Sequence, residues 1–414
     1  MQWKATLGLL VVLATAAPLT SPIVYADDLV DVRTYGYLAW RVEKVWDELS
    51  VDALGNTDTT DAPREITVPS FNIMMQSRVG DNAKVFINLN GSEADNVDVA
   101  NVWGEYRVND YVNLRIGETY RKFGLYNEIL DAVPTYIGIE PPELFDKDHL
   151  ILSRTTLAMM HGLIPLGDGE ISYSLTLDNG EGGPTADDNY PLGFDLRYQW
   201  NLGSYVMGIS GYTSNGDTTS DVSLGSGSPR SGVLPWMASD DFQVYGAFGE
   251  FETSNWKLQA AYWRATHDAE RDPTSIVTIV NNAGINTTQR NRFLIDPTAP
   301  VTAANVDTDG DYDVTTYYIR VGYTFTNQYG EWVPYAQWDH YDNPETIENK
   351  DFGGDAEAGL ADDGEFQKST IGLIYRPIPS VALKFDTSTH FQEFNGRDEN
   401  YSEVRFDISY IFGR

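Results

Sequence analysis

The chain has 414 residues, 61 acidic against 28 basic side chains, a net charge of −33 and no cysteine. That count excludes disulfide frameworks and thiol catalysis, and so acidic a balance argues against nucleic acid as a partner. Aromatic residues make up 13% of the chain, yet mean hydropathy is negative, which fits a secreted β protein or a membrane barrel whose strands are apolar on one face only.

Lys4 is the only charged residue before Asp27, and Leu7 to Ala17 is apolar apart from Gly8 and Thr15. Val24-Tyr25-Ala26 then ends in a small-residue cleavage pattern. These features predict a secretory signal peptide over 1–26, its apolar run too short to span a bilayer. Residues 27–414 are then expected to form a single domain. No later apolar run reaches the roughly eighteen residues of a transmembrane helix.

Beyond the signal, apolar residues recur at every second position. Ile171, Tyr173, Leu175 and Leu177 alternate with Ser172, Ser174, Thr176 and Asp178; Leu192, Phe194, Leu196, Tyr198 and Trp200 alternate with Gly193, Asp195, Arg197 and Gln199. Near the end, Val404, Phe406, Ile408, Tyr410 and Phe412 alternate with Glu403, Arg405, Asp407 and Ser409. A strand with one apolar and one wet face produces this pattern and a helix does not. About sixteen segments read this way: 33–42, 68–78, 84–91, 98–108, 111–118, 151–160, 170–178, 192–200, 204–212, 242–251, 255–265, 314–325, 331–341, 367–376, 380–390 and 402–412.

The connections alternate in length. Short ones fall near Gly80-Asp81-Asn82, Asn109-Asp110, Leu202-Gly203, Thr253-Ser254, Gln328-Tyr329-Gly330 and Pro377-Ile378-Pro379. Longer ones lie at about 43–67, 119–150, 179–191, 213–241, 266–313, 342–366 and 391–401, while 92–97 is short for its class and 161–169 long for its class. Alternation sends nearly all long loops to one end, as in a transmembrane barrel with short periplasmic turns and long outer loops. The expected fold is all-β: a transmembrane antiparallel β-barrel of about sixteen strands with a long inserted loop after the fifth. Trp40, Trp46, Trp103, Trp200, Trp256, Trp263, Trp332 and Trp338 lie in or beside these strands, several near their ends, as interfacial girdles require.

The loop at 119–150 is not an ordinary polar one. Phe123, Leu125, Tyr126, Ile129, Leu130, Val133, Tyr136, Ile137, Ile139, Leu144 and Phe145 are apolar, while Glu128, Asp131, Glu140, Glu143, Asp146 and Asp148 outnumber Arg121, Lys122 and Lys147. Such a long insertion is functional or disordered, and this composition opposes disorder.

With about sixteen alternating segments, a signal sequence and an aromatic-rich last strand (VRFDISYIF), the mature chain resembles Gram-negative outer-membrane porins. Within the inserted loop, RKFGLYNEILDAVP and PPELFDKDHLILSR look like segments of the phosphate-selective-porin-like group. Porin chains usually end on an aromatic residue; this one ends Phe412-Gly413-Arg414. The resemblance implies a channel for passive diffusion of small hydrophilic solutes and ions, a loop after the fifth strand that narrows the pore, a homotrimer, and lipid and lipopolysaccharide as surroundings.

Inward positions taken from the alternation carry Arg78, Lys84, Arg107, Arg115, Arg197, Lys257, Arg320, Lys368, Arg376, Lys384 and Arg405 against fewer acids. A basic wall facing an acidic loop sets up a transverse field that orients polar solutes. The expected constriction pairs Arg78, Arg107 and Arg115 with Glu128, Asp131 or Glu140, and Glu143 and Asp146 add to the acidic side. The acidic loop favours a general or weakly selective channel over an anion- or phosphate-selective one. A structural or adhesive barrel with a plugged lumen is the other alternative.

The run from Asn305 through Asp307, Asp309, Asp311 and Asp313, with Gly310 at the sixth position, resembles the start of a calcium loop, but the twelfth position is Thr316 rather than Glu. These aspartates are a candidate weak divalent-ion site. The five His (His149, His161, His267, His340 and His390) fall in no nucleophile or metal-protease pattern, so neither enzymatic activity nor a cofactor is expected.

Overall fold

Strands with period-two apolarity must bury one face and show the other, so what matters is which face points inward. In the computed structural model the described residues are 32–51, 57–92, 96–129, 137–145, 154–179, 189–200, 204–220, 222–227, 229, 232–394 and 396–413. They contain sixteen barrel strands. The first eight are Val32–Trp46 (β1), Glu65–Val79 (β2), Ala83–Ser92 (β3), Asn96–Arg107 (β4), Asn113–Tyr120 (β5), Arg154–Leu166 (β6), Gly169–Asp178 (β7) and Leu192–Trp200 (β8). The second eight are Tyr205–Thr213 (β9), Met237–Glu252 (β10), Trp256–Arg271 (β11), Tyr312–Tyr323 (β12, continued by Phe325–Asn327), Gly330–Asp342 (β13), Glu365–Ile378 (β14), Val381–Phe394 (β15) and Arg397–Gly413 (β16). Each pairs antiparallel with its neighbours in sequence. Because β1 pairs with both β2 and β16, in register Tyr35↔Met74 and Val42↔Phe406, the sheet closes and has no edge.

The burial pattern is inverted relative to a soluble protein. On β14, Lys368 and Thr370 are buried while Ile371 is 64% exposed; on β8, Asp195 is buried between exposed Phe194 and Leu196. An apolar outer surface around a polar interior is the arrangement a barrel adopts in a bilayer. Ringing the short-turn end, Tyr198, Trp200, Tyr205 and Phe251 form one run of contacting rings, and Trp256, Tyr323, Phe325, Trp332 and Tyr375 form another. The outward face gives a direct test. Ile371→Arg is expected to cost about 2–4 kcal/mol in lipid, read as a lower unfolding temperature of the bilayer-embedded barrel. An unchanged temperature would mean that face does not meet hydrocarbon.

Two connections depart from expectation. The link assigned to 161–169 is only a turn at Gly167-Asp168, because β6 runs on to Leu166. A Cβ at Gly162 would sit 1.7 Å from the Tyr111 carbonyl oxygen. That glycine therefore marks close backbone approach within a strand. The 266–313 connection, in turn, is not merely an acidic loop: it holds two helices, Pro273–Asn282 (α1) and Thr287–Phe293 (α2). Asp272 caps α1 ahead of a proline, and Asn286 with Gln289 forms a capping box on α2. Their buried Ile276, Ile279 and Phe293 join Trp236 and Ile347 from the two neighbouring long connections in one apolar cluster. Arg271 clamps it through a bidentate pair to Glu345, both contacts 2.7 Å.

The aspartate tip of that connection does not gather into an ion site. Asp307 Oδ1 accepts from the Asp309 N–H, Asp309 Oδ1 from the Asp311 N–H and Asp311 Oδ1 from the Ala269 N–H, while Asp313 pairs with Arg264 at 2.6 Å. Among the described residues no three acidic or His side chains converge on a point that could hold a metal. The alternating carboxylates cap backbone amides instead.

Candidate functional site

The 33 residues between β5 and β6 are described over 121–129 and 137–145. Asp131 and Asp146 lie outside the described residues. Both described limbs contact inward-facing side chains, and by different chemistry.

The first limb docks through aromatics. Phe123 stacks on Trp263 of β11 with centroids 4.2 Å apart, and Tyr126 packs near Phe145 and Tyr318 of β12. The Tyr126 hydroxyl donates to Gln259 and accepts from Arg320. Arg121, buried, pairs with Asp178 of β7 at 2.8 Å and lies over the Tyr212 ring. Gly124, at φ +64°, turns the chain where a Cβ would come within 2.9 Å of the Phe145 ring.

The second limb docks through charge and backbone. Lys384 Nζ donates to the Gly138 carbonyl at 2.7 Å, the Ile139 N–H donates to Asp386 at 3.3 Å, and the Glu143 N–H donates to Asp339 at 3.2 Å. Glu140 meets three cations from three strands: Arg41 of β1 at 3.1 Å, Lys368 of β14 at 3.2 Å, and Arg405 of β16. Burial pushes the Glu140 carboxyl up, and those charges outweigh it and hold it below the ordinary carboxylate range. Glu143 adds a 2.7 Å contact to Lys368.

This geometry corrects the expected pairing. Arg78 is exposed near the short-turn end of β2, and Arg107 pairs with Asp110 in the turn that follows β4. Both stand at the wrong height to reach the loop. Arg115 pairs with Glu105 across β4–β5 at 2.8 Å, but it does line a cavity of about 230 Å³ together with Glu128. Glu128 itself contacts Arg197 at 3.1 Å and Lys122 at 3.9 Å. Enclosure raises its carboxyl, while Arg197, Lys122 and Arg115 together hold it below the usual range.

Reading inward positions for basic residues captured Lys368 and Arg405 but assigned them no role. It passed over Arg41 altogether, although Leu38, Trp40 and Val42 put Arg41 on the opposite, inward face. Glu357, from the connection between β13 and β14, was also missed; no periodicity marks a loop acid that folds back inward. It reaches Lys368 and His390, each at 3.9 Å.

Burial pushes the Glu357 carboxyl up to about 8, Glu143 adds to the rise, and Lys368 and His390 oppose it. A carboxyl raised on folding supports the folded state fully at acid pH and loses that contribution as pH climbs through its folded value. Stability should therefore fall as pH rises from about 4.5 to about 8 and level off above that, and Glu357→Gln should flatten the fall. The readout is the temperature at which the barrel loses its fast-migrating form on a gel at each pH. Parallel slopes in variant and parent would count against this.

No protein-family model and no curated protein matches the chain. Solved structures do. The outer-membrane channel DcaP of Acinetobacter baumannii superposes with a TM-score of 0.55 at 12% identity, over 94% of this chain and 99% of that one. An anion-selective porin from Comamonas acidovorans gives 0.56 at 12% identity, over 92% and 100%. The trimer form of OmpT, an outer-membrane protein of Vibrio cholerae, gives 0.51 at 10%, over 93% and 100%. At these identities the likeness establishes the fold: a closed sixteen-stranded porin-type barrel.

Proposed function

We propose that this protein is a non-enzymatic outer-membrane porin of a Gram-negative bacterium, a water-filled channel for passive diffusion of small hydrophilic solutes and ions. The observation that carries the reading is a closed barrel of sixteen strands with charged side chains inside and apolar ones outside. A barrel of that size holds more lumen than its own side chains fill. In this reading the described limbs of the segment after β5 narrow it, leaving a cavity of about 230 Å³ beside β1–β5, lined by Arg115 and Glu128, and one of about 540 Å³ beside β10–β14.

Selectivity is weak in this reading, because the lumenal cations sit beside carboxylates: Arg115 and Lys84 on Glu105, Arg405 on Glu43 and Glu403, Lys368 on Glu143. Local neutralisation damps the positive potential that a dedicated phosphate path requires. The trimeric form of the Vibrio neighbour supports a homotrimer.

Reconstitution in a planar bilayer tests this. Stepwise conductance with a small reversal potential in a salt gradient is expected. Arg115→Gln should shift that potential toward cations and Glu128→Gln toward anions. A sealed bilayer would instead support a plugged structural or adhesive barrel.

A further inference from the structure

The passage wall carries a feature that a weakly selective charged channel does not need. At the level of the narrowing, β1 to β4 each turn a large apolar group inward: Tyr35, Met74, Phe86 and Trp103, with Arg115 following on β5, and all five line the same cavity as Glu128. The rings of Phe86 and Trp103 stack at 5.1 Å with their planes 20° apart, and the Arg115 guanidinium lies over Trp103 at 4.0 Å. The ring spacing matches the distance between adjacent strands, so the stack runs along the wall. Trp103 is thus stacked by Phe86 and by Arg115, and a ring covered on its faces offers a solute its edge.

Edges and faces differ in what they attract. An aromatic ring is negative on its face and positive at its edge, so edges favour the π-face of another ring in a T-shaped contact. A wall of edges therefore prefers a solute with an aromatic ring over a saturated one of similar size. Arg115, which gives Nε and Nη2 to Glu105, and Glu128, which holds Arg197, line the same cavity, and their remaining donor and acceptor positions can meet a carboxylate and an ammonium. All four ring-bearing or charged wall residues, Tyr35, Phe86, Trp103 and Arg115, are only partly buried, so their edges remain within reach of solvent.

We propose that the Tyr35–Phe86–Trp103 wall, with Arg115 and Glu128, is a solute subsite for small zwitterions bearing an aromatic ring. This rests on the channel reading above and names its preferred solute class. Binding there is weak and transient, which passage requires.

The test is single-channel recording in potassium chloride with added L-tryptophan, and separately L-leucine. Tryptophan should interrupt the ion current in a concentration-dependent way, and leucine should do so much less. Phe86→Leu keeps an apolar wall but removes one ring, and should weaken the tryptophan effect about three- to tenfold. Its folding is checked by heat-modifiable migration. Phe385→Leu, on the lipid-facing side of β15, should leave the tryptophan effect as it was. Equal interruption by leucine and tryptophan would overturn the edge-on preference, as would a Phe86→Leu channel that responds like the parent. Open channels that neither amino acid interrupts would overturn the subsite and leave the porin reading standing, whereas absence of any conductance would overturn the porin reading itself.

Discussion

Lys368→Met is expected to be among the most damaging single changes in the lumen, lowering the unfolding temperature sharply at neutral pH. Lys368 is 4% exposed in its side chain and has four carboxylates within 4 Å: Glu143 at 2.7 Å, Glu140 at 3.2 Å, Glu403 at 3.5 Å and Glu357 at 3.9 Å. The methionine fills most of the stem volume, so the loss is electrostatic rather than a cavity. Removing one partner from a buried charge cluster costs about 3–5 kcal/mol, because the remaining charges stay desolvated and repel. Arg405 still neutralises part of the group through Glu140 and Glu403, which keeps the expected loss within that range. Acid should rescue the variant. Carboxylates crowded together take up protons more readily, so by about pH 5 the difference from the parent should shrink. A deficit equal at both pH values would mean that Lys368 acts through packing.

The strand face that meets lipid could be read from alternation alone, since Val404, Phe406 and Ile408 against Glu403, Arg405 and Asp407 leave one assignment per strand once the barrel closes. The same alternation counted the strands, and the connection that looked too long for its class, at 161–169, disappeared when Gly162 proved to be a strand glycine. The pairing of the loop acids was not legible in the same way. Alternation says that Arg78, Arg107 and Arg115 point inward but not at what height, and height depends on register, which a period-two pattern repeats without marking. Arg107 therefore looked equivalent to Arg405, yet one sits in a turn with Asp110 and the other reaches Glu140. The helices of the 266–313 connection were signalled by Asp272-Pro273 and by Asn286 with Gln289, but short amphipathic turns inside an acidic stretch give little periodicity to weigh against the loop composition.

Phe123→Ala is the second large effect, and it separates the inserted segment from the barrel that holds it. Phe123 is 2% exposed, stacked on Trp263 and part of the cluster with Tyr126, Phe145 and Phe248. Truncating a buried phenylalanine costs about 3–5 kcal/mol through lost transfer energy and the cavity left behind. That loss falls on the first limb, whose other ties include the Arg121–Asp178 and Glu128–Arg197 pairs and the Tyr126 hydroxyl contacts. The hydrogen-bonded ladder of sixteen strands is untouched, so the barrel should still form and migrate as a folded species. With the limb loosened, mean conductance should rise and open-channel noise should grow. Phe123→Leu, which keeps most of the apolar volume, should fall between the variant and the parent. A Phe123→Ala channel with parental conductance and noise would show that the aromatic limb does not set the width of the passage. The narrowing would then have to lie with the second limb, where Glu140 joins β1, β14 and β16.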